Sequence, residues 1–413
     1  MVRYYVQRIK NIYHFFVAII ANLYYGWPSR KIKVIGITGT DGKTTTTLLV
    51  HHILKSAHKK TSVISTNLAY IAGKKYDTGF HVTTPDAFTI QKFLRKAVDY
   101  GDEYFVLETT SHALDQYRVW GVQYVVTAIT NITHEHLFDH FTYKNYLKAK
   151  AHIVLYSEKG FINVDDASFS QLSEFLVNRK AEKKVATYGL KGKADYQLDV
   201  SQKLRRPIAE FNKYNYLAAY ALCRECGLTD RQIFDAMNSY TLPIGRLEVV
   251  YDKDFTVIID FAHTPNGLHQ ALASIKKLYP GRRLIHVFGA AALRDNTKRP
   301  MMGRESGTYA DLTLLTEEDY RTEDPNEICE QIAVGLKKKG FSSVAAHEFG
   351  KKSRTYSVIV DRGEAIQKAI EVAKKNDVLV LTGKGHEKSL CREKKEYDWS
   401  EHEAVEKALK QRD

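Results

Sequence analysis

Lys33-Val34-Ile35-Gly36-Ile37-Thr38-Gly39-Thr40-Asp41-Gly42-Lys43-Thr44-Thr45 is the stretch on which the reading of the whole chain turns. Its first six residues form an apolar, β-branched run bounded by glycine, as a buried strand does. Gly39 to Lys43 then reads as a turn, and Thr44 to Ala57 as a helix. Glycines let backbone N–H groups curl around a phosphate chain without side-chain clash. The following helix aims its positive N-terminal end at the anion. In such a loop Lys43 reaches the β/γ-phosphates and the Thr44 hydroxyl ligates Mg²⁺. The match to the general phosphate loop is inexact, because that pattern asks for glycine at position 37. Ile37 stands there, and Gly36 comes one residue too early.

Downstream, the alternation of strand and helix continues. Thr61–Ser65, Tyr104–Glu108 and Tyr124–Ile129 read as further strands, and Ala87–Asp99 as a helix between them. This rhythm predicts an α/β fold with a mostly parallel sheet covered on both faces. Near Thr241-Leu242-Pro243-Ile244-Gly245 the pattern breaks and restarts. Strands at Thr256–Asp260, Arg283–Phe288, Leu312–Thr316 and Val378–Thr382 follow. Helices are expected at Gly267–Leu278 and Pro325–Lys339, with a last one from Ser400. The expected division is an apolar N-terminal helix over 1–30, a P-loop central domain over 31–242, and a smaller Rossmann-like α/β domain over 243–413.

With 413 residues, 44% hydrophobic and 26% charged, the composition is that of a globular protein, neither disordered nor fibrous. The net charge of +13 suits polyanionic partners. No aromatic–basic module supports nucleic-acid binding. Cys223 and Cys226 form a lone CxxC in an Ala-rich helical pattern, and Cys329 and Cys391 stand apart. Reduced structural thiols are expected rather than a zinc site.

Asn11 to Ser29 carries no formal charge and contains Phe15-Phe16-Val17-Ala18-Ile19-Ile20-Ala21, with Arg3, Arg8 and Lys10 before it and Arg30, Lys31 and Lys33 after it. His14, Asn22 and Gly26 interrupt the run. The segment is compatible with a helix packed on the protein or a partner, with an interfacial membrane helix, or with a true span. The first is favoured. No small-residue cleavage site follows, so a signal peptide is not expected.

The loop Thr38–Thr45 resembles the variant phosphate loop of Mur ligases and folylpolyglutamate synthetases. Later segments resemble the branch of the Mur ligase family that forms the UDP-N-acetylmuramyl tripeptide. These are Thr83-Thr84-Pro85-Asp86, Glu108-Thr109-Thr110-Ser111-His112-Ala113-Leu114, Thr130-Asn131 and Tyr146-Leu147-Lys148-Ala149-Lys150. Asn212-Lys213-Tyr214-Asn215, Gly245-Arg246-Leu247-Glu248 and Asp260-Phe261-Ala262-His263-Thr264-Pro265 follow. Arg294-Asp295, Lys298-Arg299-Pro300 and Gly383-Lys384-Gly385-His386-Glu387 complete the series in family order.

The resemblance implies ATP-dependent amide formation through an acyl phosphate, with ATP and Mg²⁺ required. Gly39, Thr40, Asp41, Gly42, Lys43, Thr44 and Thr45 would cradle the phosphates. Thr44 and Glu108 would hold Mg²⁺, with His136 and Lys150 serving a second metal or the γ-phosphate. The resemblance implies that Lys150 is carbamylated by CO₂, while an unmodified lysine binding phosphate directly is the alternative. Thr83, Thr84, Thr110, Gln116 and Arg118 match contacts to the UDP-sugar peptide. Asn215, Arg246, Asp260 and His263 match the ATP-handling set of a second domain that closes about a hinge near Pro243. Arg294, Arg321, Gly383 and Glu387 match a grip on meso-diaminopimelate, whose distal carboxylate suits an arginine pair. The implied partners are a UDP-MurNAc-dipeptide donor and an amino acid. A monomer is expected. So is a cytoplasmic location, at the inner membrane face if residues 11–29 meet lipid.

Three departures stand out. No counterpart of the family's uridine-binding domain precedes Pro28. The family's Gly-Cys-Gly-Gly stretch reads Gly289-Ala290-Ala291-Ala292-Leu293, whose methyls are expected to tighten the turn presenting Arg294. The Asp-Asn-Pro-Arg specificity motif reads Glu318-Asp319-Tyr320-Arg321. Two other readings compete: a Mur-like ligase acting on another carboxylate donor, and a membrane-tethered nucleotide-binding scaffold without activity. The scaffold predicts losses among Lys43, Glu108, Lys150 and His263, yet all four are present.

Overall fold

The structure is a computed structural model that describes residues 2–66, 68–76, 83–133, 141–293 and 295–412. The chain divides into two compact units, Met1–Thr241 and Leu242–Asp413.

The first unit opens with helix α1 (Val2–Tyr25), then β1 (Lys33–Thr38), α2 (Lys43–Ser56), β2 (Thr61–Ile64), β3 (Ala69–Ile71) and β4 (Lys74–Tyr76). It continues through α3 (Ala87–Tyr100), β5 (Tyr104–Glu108), α4 (Ser111–Asp115), β6 (Tyr124–Ile129) and α5 (Tyr143–Leu155). Then come β7 (Ser157–Asn163), α6 (Phe169–Val177), β8 (Val185–Gly189), β9 (Tyr196–Gln197), α7 (Glu210–Glu225) and α8 (Asp230–Ser239). The nine strands form one sheet in the order β4-β3-β2-β5-β1-β6-β7-β8-β9. Only the β2–β3 and β3–β4 pairings are antiparallel. One apolar core lies under α3, α5 and α6, and another under α2, α7 and α8, so helices cover both faces. Burial on both faces explains why the strand sequences read as unbroken apolar runs.

Gly36 has its explanation here. It sits within β1, where a β-carbon would come within 2.7 Å of the Tyr124 ring. It belongs to strand packing, not to the phosphate loop, which begins at Gly39.

The second unit contains β10 (Glu248–Asp252), β11 (Thr256–Asp260), α9 (Pro265–Leu278), β12 (Leu284–Phe288), α10 (Lys298–Tyr309), β13 (Leu312–Leu315) and α11 (Pro325–Lys338). After these come β14 (Ser342–Ser343), β15 (Thr355–Val358), α12 (Arg362–Val372), β16 (Val378–Thr382), the hairpin β17 (Ser389–Arg392) and β18 (Lys395–Asp398), and α13 (Glu401–Arg412). Seven strands make a sheet in the order β10-β11-β16-β12-β13-β15-β14, parallel except for β10. Its helices also lie on both faces. Each unit therefore has the α/β architecture expected from the sequence.

The N-terminal segment differs from one of its expected forms. α1 begins at Val2 and takes in Arg3, Arg8 and Lys10, so its apolar run is too short and too often interrupted for a span. No helix among the described residues is long and apolar enough to cross a membrane. The four cysteines are free thiols.

Two buried histidines make stability depend on pH. His286 on β12 is hydrogen-bonded on both nitrogens, to Ser306 and Thr382 at 2.9 Å. Desolvation, then Arg362, lowers its pKa to about 3. Desolvation, then Lys55, lowers that of His51 to about 4. An unfolded chain protonates both below about pH 6.5, whereas the folded chain does so only near those lowered values. Between pH 6.5 and 4 the unfolded state thus binds the extra protons, and stability falls with pH by about 1.4 kcal/mol per unit for each histidine. In urea denaturation, His286→Asn should reduce that slope by about one proton. An unchanged slope would mean that His286 titrates normally.

Candidate active site

β1 is the central strand of its sheet, flanked by β5 and β6, with Ile37 opposite Glu108 and Thr38 opposite Ile129. The chain leaves β1 at the carboxyl edge, where α/β sheets bind ligands. Gly39 follows, and a β-carbon there would lie 1.8 Å from Thr130 Oγ1. Thr130 donates its hydroxyl to the Asp41 carbonyl at 2.7 Å. Asn131 Oδ1 accepts from the Asp41 N–H at 2.9 Å, and its Nδ2 donates to the Asp41 carbonyl at 3.1 Å. These bonds set the loop's shape from the end of β6. Gly42 takes φ +81°, a left-handed conformation, just before α2, and a side chain there would come within 2.1 Å of Asn215 Oδ1. Asn215, on α7, is thus brought against the loop, oriented by its donation to Asn212 Oδ1 at 2.9 Å. Lys43 Nζ donates to the Thr40 carbonyl at 2.7 Å. Thr45 lies buried in the first turn of α2.

Glu108, at the end of β5, is fully buried. Thr44 Oγ1 donates to its Oε1 at 2.9 Å, and the Thr66 N–H donates to Oε2 at 2.9 Å. The Thr66 hydroxyl is 3.1 Å from Oε1 and 3.0 Å from Thr83 Oγ1. Magnesium takes hard oxygen ligands at 2.0–2.1 Å in octahedral geometry, so adjacent ligand oxygens lie about 2.9 Å apart. The Thr44 and Glu108 oxygens have that separation and that chemistry. Among the described residues there is no cluster of three or more His, Cys, Asp or Glu side chains suited to a metal. A cation here would complete its shell with phosphate oxygens and water, as Mg²⁺ commonly does.

Lys150 lies on the buried face of α5, with Tyr146, Leu147, Ile153 and Val154, and is only 1% exposed. Lys148, two residues earlier, lies on a more open face. Lys150 Nζ sits 4.4 Å from the centre of the Tyr146 ring. Tyr146 in turn meets Thr40 through a 3.1 Å contact between hydroxyls. The Tyr146 side chain therefore links the lysine to the phosphate loop.

On the other side of Glu108, Thr84 Oγ1 donates to the Glu108 carbonyl at 3.0 Å and accepts from the Thr110 N–H at 2.9 Å. Thr110 caps α4 by accepting from the Ala113 N–H. Arg118 donates to the Thr84 carbonyl at 2.9 Å and to Gln116 Oε1 at 3.0 and 2.6 Å. The Gln116 oxygen is thus committed to orienting the guanidinium. His136 lies outside the described residues. The signals missed in the sequence were Thr66, which follows an ordinary strand, and Tyr146, which lies inside a quoted motif but reads as core.

In the second unit, Asp260 ends β11 and accepts from the Leu247 and Ala262 N–H groups, each at 2.8 Å. It thereby pins the turn that carries Arg246. The Arg246 guanidinium stacks over Phe261 at 4.7 Å, and Phe261 also meets His263 and His386 at 4.7 and 4.8 Å. Desolvation, then Arg246, drives the pKa of His386 to about 3, so its imidazole is neutral near pH 7.

Around Gly383 the structure is richer in acid than the sequence suggested. Lys384 is buried between Asp319 at 2.9 Å and Glu387 at 2.5 Å. Burial pulls its pKa down, but Glu387 and then Asp319 raise it overall. Glu387, expected to grip substrate, is therefore already paired. Glu318 is buried, with no hydrogen-bond partner for Oε2 among the described residues, and desolvation raises its pKa. A β-carbon on Gly383, whose φ is +106°, would sit 2.8 Å from that oxygen. Arg321 takes φ 48° and is held by its N–H on the Cys391 carbonyl at 3.1 Å. Arg294 lies outside the described residues. Ala290 and Ala292 are buried in the core of the second unit, and Leu293 beyond them takes φ 55°.

The Mur ligase middle-domain model matches residues 37–223, and the Mur ligase glutamate ligase domain model matches 245–385. The chain is 34% identical to a UDP-N-acetylmuramoyl-L-alanyl-D-glutamate–2,6-diaminopimelate ligase of Clostridium botulinum, over 96% of this chain and 81% of that protein. It is 36% identical to the ligase of the same name from Aquifex aeolicus, over 94% and 80%. A solved structure of a ligase with that name superposes with a TM-score of 0.59 at 28% identity, covering 92% of this chain and 78% of that one.

Gly42→Ala should weaken binding of a magnesium–nucleotide by about tenfold or more in calorimetric titration, since the left-handed conformation alone costs about 1–2 kcal/mol. Adding Asn215→Ala removes the clash but not the backbone cost, so affinity should stay reduced. Undiminished binding by Gly42→Ala would show that the loop does not cradle phosphate.

Proposed function

We propose, from the premise that this chain belongs to the Mur ligase family, that it joins the γ-carboxylate of UDP-MurNAc-L-Ala-D-Glu to an amino group of a diamino acid, with meso-diaminopimelate as the favoured acceptor. It is an ATP-dependent amide ligase of peptidoglycan synthesis. The observation that supports the acyl-phosphate chemistry of this reading is the corner where Lys43, the buried Thr44–Glu108 pair and, through Tyr146, Lys150 meet at one loop. The reading puts the reaction in the cytoplasm, with its nucleotide supply.

A carboxylate resists nucleophiles because of its charge. Its oxygen instead attacks the γ-phosphorus of ATP, ADP leaves, and an acyl phosphate forms. The acceptor amine adds to the acyl carbon, loses a proton, and inorganic phosphate departs. Such phosphoryl transfer depends on positioning and charge neutralisation. The Gly39–Thr45 amides and the Lys43 ammonium hold the phosphates in line. Magnesium held by Thr44 and Glu108 would supply the neutralising charge. Lys150, if carbamylated, places two anionic oxygens where the bare side chain brings a buried ammonium. Thr83, Thr84, Thr110 and the Gln116-oriented Arg118 fork suit the donor's carboxylate and phosphate oxygens. Arg246, Asp260 and His263 are read as nucleotide-handling residues of the second unit, and Asn215 as one of the first unit's.

For the acceptor, diaminopimelate is named in the relatives, and the motif resemblance implies that Arg321, Gly383 and Glu387 would contact it. One observation favours lysine or ornithine as a second reading. Glu318 adds a buried acid beside Gly383, whose free oxygen is an acceptor suited to an ammonium.

The test is phosphate release from ATP with the muramyl dipeptide donor and a panel of diaminopimelate, lysine and ornithine. Release should require both donor and amino acid, and be fastest with diaminopimelate. Equal release without donor would indicate a plain ATPase, and preference for lysine would decide the second reading. Lys150→Ala should lower turnover by about 10²–10³-fold, with partial recovery in formate or propionate. Full activity of the variant would remove the carbamate role.

A further inference from the structure

The first forty residues contain Arg3, Arg8, Lys10, Arg30, Lys31 and Lys33, and no Asp or Glu before Asp41. Within them, α1 is fastened to its unit by one face. Asn11 donates to the Asp115 carbonyl at 2.9 Å and to its carboxylate at 3.1 Å. Asn22 donates to the Trp120 carbonyl at 2.9 Å. Phe15 packs edge-on against Tyr117 and Trp120, and Ala18 and Ala21 are fully buried.

The opposite face is apolar and open. Ile12, Tyr13, Phe16, Ile20, Leu23 and Tyr24 are each between 56% and 75% exposed. At about 100° per residue these six fall within an arc of roughly 120°. Phe88 of α3 lies 6.4 Å from Tyr24 and is itself exposed, which widens the patch. Contiguous apolar surface of this kind marks a binding face.

The margins of the arc decide what it binds. By helical spacing Lys10 lies beside one edge, where it is exposed, and Arg8 beside the other, where it is exposed but ion-paired with Asp115 at 3.7 Å. Arg30 and Lys31 are exposed just beyond the helix. A second copy of this face would bring like charges together, whereas anionic headgroups would neutralise them. An apolar stripe with cationic margins and aromatic side chains is the pattern of a helix lying in a membrane interface. Asn11 and Asn22 keep their partners in that orientation, and the helix need not cross the bilayer.

We propose that α1 lays the Ile12–Tyr24 face on an anionic lipid surface and holds the protein there as a peripheral protein. The proposal is independent of which carboxylate and amine the ligase joins.

The test is sedimentation of the full chain with vesicles, without nucleotide. Vesicles of phosphatidylglycerol and phosphatidylcholine should pellet at least about fivefold more protein than phosphatidylcholine alone, less so at high salt. Phe16→Glu/Ile20→Glu should abolish pelleting while keeping the circular dichroism spectrum and thermal midpoint. Lys10→Glu/Lys31→Glu changes only exposed side chains and should weaken binding by about tenfold. Absence of pelleting by the unaltered chain, or pelleting unaffected by both variants, would overturn the proposal. So would a lipid-independent dimer in sedimentation equilibrium that Phe16→Glu/Ile20→Glu dissolves, since that assigns the face to a second copy.

Discussion

A fully buried carboxylate is costly unless donors surround it, and the first unit is organised around satisfying one. Glu108 can be buried because β5 lies between β1 and β2: β1 sets Thr44 of the following helix against one oxygen, and β2 brings the Thr66 amide against the other. The same adjacency gives the phosphate loop its place. If the strand order differed, the carboxylate would lose its donors and the loop its acidic neighbour together. The two apolar cores that clamp this sheet therefore serve the site as directly as the side chains in it.

The second unit solves a related problem with full charges. Lys384 is held between two acids, while Glu318 keeps an oxygen with no hydrogen-bond partner among the described residues. A buried ammonium between carboxylates is strongly fixed, and breaking one side of such an arrangement is expensive. Rigid charge of this kind can define a pocket for a charged substrate, because it does not rearrange to suit the wrong one. Leu293 and Arg321 are non-glycine residues in the left-handed region, held there by the surrounding structure; Arg321 is itself one of the positions read as the amino-acid grip.

Much of this was legible in the sequence, for identifiable reasons. Buried parallel strands advertise themselves as apolar runs, so β1, β5, β6, β11 and β16 were evident from pattern, and the glycines of the loop declared their need for unusual backbone. What stayed hidden depended on distance across the fold. Gly36 read as a misplaced loop glycine because the ring it accommodates belongs to Tyr124, far along the chain. Thr66 carried no motif, and its role appears only once β2 lies beside β5. Gln116 and Arg118 looked like two separate contacts, while the fold makes one the support of the other. The partnering of Glu387 by Lys384 was hidden because only the buried position of the lysine reveals it.

The lengths of the outermost strands carry one further consequence. The larger sheet ends on three-residue β4 and two-residue β9, and the smaller one on two-residue β14 and on β10, whose register slips between Val249 and Tyr251. Short or bulged borders present few aligned amides to a passing chain. Among the described residues, sixteen strands are thus assembled into two broad sheets whose borders offer little template for uncontrolled growth.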